Sequence, residues 1–220
     1  ELMQFADELE KADDFGAALS KLIRRELAAH RRILFNGNGY SEEWPLEAAR
    51  RGLLNLRSTP EALIHYTDEK NVALFARHGV YTRTEIQSRQ DINMEEYAKI
   101  IHIEALTLID MLGKLIVPAC AAYSKQLAEG VAAKAGIGVD APAEAAQVRL
   151  LTEKTAELIE RAERLKAVVA AEPEELNARA MYEHEAVIPA MEAARQVADE
   201  LEGRVGKEYW PMPSYADLLF

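Results

Sequence analysis

Apolar residues recur at helical spacing along almost the whole chain, and the character of that spacing changes once, near residue 90. Before that point the runs are short and often interrupted. The first 30 residues read as two helical stretches broken near Asp13-Asp14-Phe15-Gly16, the second carrying a stripe at Leu19, Leu22, Ile23 and Leu27. Ser41, followed by Glu42 and Glu43, fits an N-terminal cap with acid in the first turn, for a helix ending near Gly52. Ser58-Thr59-Pro60-Glu61 repeats that logic with proline at the first helical position. Asp68 to Arg77 is another short helix, closed by His78-Gly79, and Thr82 or Thr84 opens the next. Only Arg31 to Asn36 (RRILFN) is β-prone. The two Asn-Gly pairs after it signal a tight turn with positive φ, but no alternating strand follows Gly39, so a full hairpin is not expected.

Beyond residue 90 the runs are long. Asp91 to about Ala135 shows a seam at Ile101, Ala105, Leu108, Leu112, Leu115, Ala119 and Ala122, in alternating steps of four and three. Gly136, Gly138 and Pro142 mark a loop. A second long helix carries a cleaner heptad at Val148, Leu151, Thr155, Leu158, Ala162, Leu165 and Val169. Glu172-Pro173 punctuates. A third helix runs to about Gly203 with Ala180, Val187, Met191, Ala194, Ala198 and Leu201 on one face. Short loops between long amphipathic helices predict antiparallel packing. Pro118 and Pro189 fall inside helices, where proline removes a hydrogen bond and bends the axis; the two bends are expected to lie side by side. The tail KEYWPMPSYADLLF places Tyr209, Trp210, Tyr215 and Phe220 on a proline-broken strap expected to dock against something. The predicted fold is mainly α, with short helices leading into a bundle of three long antiparallel helices, little or no β, and a non-helical aromatic C-terminal strap.

Composition narrows the function classes. A chain of 220 residues, 49% hydrophobic and 29% charged, can bury a substantial core without metals or disulfides. A net charge of -11 opposes a nucleic-acid surface, which needs lysine and arginine to neutralise phosphates. No apolar run approaches the ~18 residues of a membrane helix, so no membrane partner is expected. The single cysteine, Cys120, sits in an apolar run and reads as a small buried filler; a reducing, cytoplasmic setting fits. The chain starts with Glu1 rather than methionine, which suggests a piece of a longer polypeptide.

A search for chemistry returns little. His102 and Glu104, two apart, face different directions, and His184 between Glu183 and Glu185 falls on the apolar stripe of the third helix, where a core or interface histidine is expected. No Glu-x-x-His occurs, so the ligand pattern of a di-iron bundle is missing. The apolar neighbours of Cys120 would raise its pKa and remove it as a nucleophile. Phe35 to Gly39 could cradle an anion through backbone N–H groups, yet lacks the lysine and hydroxyl of a P-loop; Asn36–Gly39 reads as a structural turn. Arg24-Arg25 and Arg31-Arg32 read as a solvated helix face. No catalytic, cofactor-binding or metal-ligating residue is assigned. Read this way, the chain is either part of an enzyme or a stand-alone helical interaction module using the Val148–Val169 seam; a bundle metalloprotein is the weakest of the three readings.

A resemblance adds to this. RRILFNGNGYSEEWPLEAARRGLLNL looks like a characteristic segment of type III glutamine synthetases. Ser58 to Arg89 is similar to the closing segment of the catalytic domain in glutamine synthetases generally, through Ser58, Glu61-Ala62-Leu63, Gly79-Val80-Tyr81 and Thr84-Glu85. IHIEALT (Ile101 to Thr107) and the C-terminal KEYWPMPSYADLLF also resemble that class, whereas Val131 to Ala180 offers only helical character. The resemblance implies an ATP-dependent ligase that joins glutamate and ammonia through a γ-glutamyl phosphate, with Mg or Mn bridging the phosphates, in a large homo-oligomer. It implies that the reactive groups lie on a β-rich barrel preceding Glu1, that this chain alone is inactive, and that neither ATP nor metal binds to it. The implied partners are the missing barrel and other subunits. The implied layout is residues 1–90 as the end of the catalytic domain, 91–206 as a class-specific bundle, and 207–220 as a docking tail.

Overall fold

The computed structural model describes residues 2–213 and 215–219, and the chain forms two compact units, Glu1–Arg57 and Ser58–Phe220. Among the described residues there is no strand. The first unit holds α1 (Leu2–Glu10), α2 (Phe15–Ala29) and α3 (Glu43–Arg50). Asp14 caps α2 by accepting the Ala17 N–H at 3.0 Å. Of the predicted stripe on α2 only Leu22 is buried; Ile23 and Leu27 are about half exposed. The β-prone segment forms a 3₁₀ turn over Arg31–Ile33 instead. Ser41 does not cap α3: its hydroxyl donates to the Asn38 carbonyl at 2.8 Å.

The second unit starts with α4 (Thr59–Leu63) and α5 (Glu69–Arg77). Ser58 and Glu61 form a reciprocal capping box, and Thr82 with Glu85 forms another at the head of α6 (Arg83–Met111). Gly79, with φ +62°, closes α5 in a conformation that a side chain would strain. After α6 the chain passes through a π-turn, Leu112–Ile116, into α7 (Val117–Gly136); α8 (Pro142–Val169) returns. The third long element is α9 (Leu176–Tyr182), a second π-turn (Glu183–Val187) and α10 (Ile188–Glu202).

Three core layers fix the directions. Ala98 shares a layer with Ala180, Ala105 with Val187, and Leu112 with Ala194. The first and third long elements therefore advance together. The second runs against both, with Leu165 and Val169 beside Ala105 and Leu151 and Leu158 beside Leu112. All seven predicted heptad positions of α8 are at least partly buried, and Leu151, Leu158 and Leu165 are fully so.

The prolines act differently from expectation. Each sits just after a π-turn, where the preceding residue donates its N–H five residues back: Val117 to the Leu112 carbonyl, Ile188 to the Glu183 carbonyl. The wider turn makes room for a ring that would otherwise strike the helix and accommodates its missing N–H. The two turns lie in different layers, Leu112–Ile116 with Ala194 and Val187 with Ala105, so the bends are not side by side. A π-turn also adds a residue to the turn. The first seam consequently shifts by one beyond Leu112: Ile116 and Cys120 are buried, while the predicted Leu115 is 44% exposed.

The tail is non-helical through Pro213, then forms a short helix, α11 (Tyr215–Leu219). Tyr209, Trp210 and Met212 pack on the Leu112–Ala194 layer, Tyr209 against Tyr123 at 5.3 Å between ring centres. The side chain of Tyr215, and Phe220, lie outside the described residues.

Candidate functional site

Two side-chain constellations stand out, one in each unit. In the first, the Asn-Gly segment is a clamped turn. Asn38 accepts the Tyr40 N–H on its side chain at 3.0 Å, and its carbonyl accepts the Ser41 N–H at 3.1 Å. Positive φ is not used at Gly37 or Gly39; a Cβ at 37 would lie 2.4 Å from the tip of the Phe35 ring, so a larger residue there would displace that ring. Phe35 stacks on Trp44 at 4.7 Å. Arg51 lies over Trp44 and donates to the Leu34 carbonyl at 2.6 Å and the Arg32 carbonyl at 3.2 Å. Arg50 and Arg51 both grip Glu47, whose carboxyl is held down to about 2 by hydrogen bonds first from Arg50, then from Arg51. A cavity of about 800 Å³ opens beside Arg31, Arg32 and Arg50, but two of its arginines are already committed to Glu47.

The second constellation lies in the bundle. His102 stands on α6 between the buried Ala98 and Ala105. Glu172 stands on the turn after α8, where Pro173 ends the helical run. Arg179 pins this turn by donating to the Pro173 carbonyl at 3.0 Å and the Glu174 carbonyl at 2.9 Å. Tyr182 adds a bond from its hydroxyl to the Val168 carbonyl at 2.9 Å. Glu175 caps α9 through the N–H groups of Asn177 and Ala178. Glu183 is the first residue of the second π-turn.

These three side chains converge. His102 Nδ1 is 2.6 Å from Glu172 Oε1 and 3.9 Å from Glu183 Oε1. Glu172 is 15% exposed and Glu183 fully buried, and neither oxygen of Glu183 accepts a hydrogen bond. Burial, then the charge of Glu172 and a shared proton with it, pushes the Glu183 carboxyl up to about 8, against a partial pull downward from Arg179. Tyr97 is raised too, by burial and by Glu183 and Glu104. A cavity of about 190 Å³ opens between His102, Ile103, Glu172 and Arg179. Among the described residues this is the one group of three histidine, cysteine or carboxylate side chains whose donor atoms lie close enough to share a cation, all within 4.8 Å.

Sequence spacing did not bring these residues together. His184, expected on the apolar stripe, is only partly buried, and Glu183 takes the inward position beside it. The 80 residues between His102 and Glu183 hide the meeting, and Pro189 inside a helix, which the π-turn accommodates, is the local signal that could have exposed it. Cys120 is buried as expected, with its thiol pushed up by burial.

Residues 18–135, more than half of the chain, match the family described as glutamine synthetase C-terminal domain. The chain is 37% identical over 212 residues to the type-3 glutamine synthetase of Dictyostelium discoideum, covering 92% of this chain and 29% of that protein. It is 34% identical over 215 residues to a glutamine synthetase of Butyrivibrio fibrisolvens, covering 94% and 30% respectively. A glutamine synthetase of Bacteroides fragilis is 32% identical, covering 92% and 29%. The chain thus spans about 30% of the length of the curated relatives it matches, and it belongs to the glutamine synthetase C-terminal domain family.

Proposed function

We propose that these residues are the scaffold end of an ATP-dependent glutamate–ammonia ligase, with the reactive groups on preceding chain, and that they hold subunits of a cytoplasmic homo-oligomer together. The observation that carries this reading is the match over more than nine-tenths of the chain to proteins named glutamine synthetase, of which it covers under a third. No described helix is long and apolar enough to cross a membrane, which is compatible with the setting. Residues 1–90 would close the catalytic domain, 91–206 form the class-specific bundle, and 207–220 dock the tail.

The substrates of that reaction would be glutamate, ammonia and ATP, with Mg or Mn on the phosphates. The described residues do not fit that nucleotide–metal pair. The three-ligand cluster adjoins a cavity of only about 190 Å³, and the roomier arginine-lined cavity adjoins no such cluster. The chemistry is therefore assigned to other parts of the polypeptide, and this part acts by packing.

A contact role gains support from α6, which exposes Ile92, Ile100, Ile103 and Leu106 along one face, at 47% or more. Isolated apolar side chains need no explanation, but a stripe at helical spacing on a bundle fits a surface that is covered in the assembly. The test is the solution mass of the full-length polypeptide with Ile100 and Ile103 replaced by glutamate. The expected result is a smaller particle with unchanged helix content. An unchanged mass removes the contact role from α6.

A further inference from the structure

Glu183 carries the inference. A fully buried carboxyl group whose oxygens accept no hydrogen bond is costly when ionised, and when neutral it shares its proton with Glu172, so two acidic groups compete at one buried spot. Its surroundings are nonetheless polar. Arg179, the nearby cation, spends its guanidinium on two backbone carbonyls. His102 Nδ1 and Glu172 Oε1 are hydrogen-bonded to each other at 2.6 Å, and His102 Nδ1 lies 3.9 Å from Glu183 Oε1.

We infer that His102 Nδ1, Glu172 and Glu183 form a binding site for one divalent transition-metal cation, with zinc the best chemical match. One imidazole and two carboxylates are a mixed nitrogen and oxygen set, which suits zinc, whereas magnesium and calcium favour oxygen-only sets. Two carboxylates beside a neutral imidazole carry two negative charges, which one such ion balances. Zinc binds nitrogen and oxygen at about 2.0–2.2 Å in tetrahedral geometry, so its donor atoms stand roughly 3.4 Å apart. The observed 2.6 Å and 3.9 Å bracket that spacing, and a bound ion would replace the His102–Glu172 hydrogen bond. Three protein ligands leave a fourth position, and the adjoining cavity of about 190 Å³ has room for a water there.

The ligands come from α6, the α8–α9 turn and the π-turn before α10, so the ion would tie the three long elements at one level of the bundle. The turn is already pinned by Arg179 and Tyr182, and that preorganisation favours binding over collapse of the site. The site is independent of the ligase reading above. It would bind zinc whichever reaction the whole polypeptide performs.

The experiment uses the full-length polypeptide, stripped with EDTA, reloaded with a small excess of zinc, desalted, and analysed for metal by mass spectrometry. Wild type is compared with His102→Ala and Glu183→Gln, so that zinc bound elsewhere cancels. The expected result is one zinc per chain fewer in each variant, with a zinc-dependent rise in melting temperature that is larger in wild type than in either variant. Magnesium at the same concentration should shift wild type and variants equally. Should Glu183→Gln fail to fold, Glu172→Gln, at the more exposed end of the site, supplies the same comparison. Equal zinc content in wild type and the folded variants overturns the inference, as does a zinc-dependent rise as large in His102→Ala as in wild type.

Discussion

Replacing Glu183 by glutamine tests the electrostatics of the bundle without touching its shape. In the metal-free protein the folded state keeps the Glu183 proton up to about pH 8, while an unfolded chain releases it near the ordinary value of 4.5. The unfolded state therefore binds fewer protons between those values, and stability falls as pH rises, by about 1.4 kcal/mol per pH unit. The wild type is unpenalised below pH 4.5, loses roughly 3 kcal/mol by pH 7, and roughly 5 kcal/mol by pH 8 and above. Glutamine has the same size and no charge, so the variant lacks this slope. The other groups facing the site, His102, Glu172, Arg179 and Tyr97, are common to both proteins, so the difference reports Glu183 together with its interactions with them. The assay is urea unfolding in EDTA at pH 5, 7 and 8.5, followed by Trp210 fluorescence in a Trp44→Phe background. Trp210 reports on the second unit alone because it packs on that unit's core. The variant should gain on wild type by a few kcal/mol across that range. A difference that stays constant from pH 5 to 8.5 refutes the reasoning, because it would mean Glu183 is solvated or paired in the folded protein.

Three further outcomes are expected. Leu158→Ala removes a fully buried side chain from the centre of the Leu112–Ala194 layer and should cost about 3 to 5 kcal/mol by the same unfolding assay. Cys120, fully buried and with its thiol raised, should resist iodoacetamide in native buffer and react once urea unfolds the bundle; fast native labelling would show that the layer opens. Glu47 should titrate near pH 2 by side-chain carbon NMR, and in Arg50→Ala its midpoint should move back toward 4.5; a wild-type midpoint already near 4.5 would mean the Arg50 and Arg51 contacts do not persist in solution.

Much of the architecture was legible in the sequence because the bundle obeys simple periodicity. The heptad of α8 and the face of α10 appear as read, and the Ser58 cap needed only local rules. The failures within the bundle share a cause. A π-turn before Pro118 moves the buried face from Leu115 to Ile116, and another before Pro189 opens with Glu183 facing inward. A heptad reading assumes a constant rotation per residue, and each π-turn breaks it. The Asn-Gly segment forms the expected turn without the expected positive φ, and the Phe35 ring instead occupies the space beside Gly37. The cluster His102–Glu172–Glu183 was not legible at all, because its members meet only after three helices have packed.

The measurement that bears most directly on the central claim is glutamate- and ammonia-dependent phosphate release from ATP, compared between the full-length polypeptide and these 220 residues alone, with circular dichroism to verify that both are folded. The expected result is turnover by the full-length protein and none by the helical part. Sustained turnover by the folded 220-residue chain would contradict the account, because it would place the reactive groups among the residues described here.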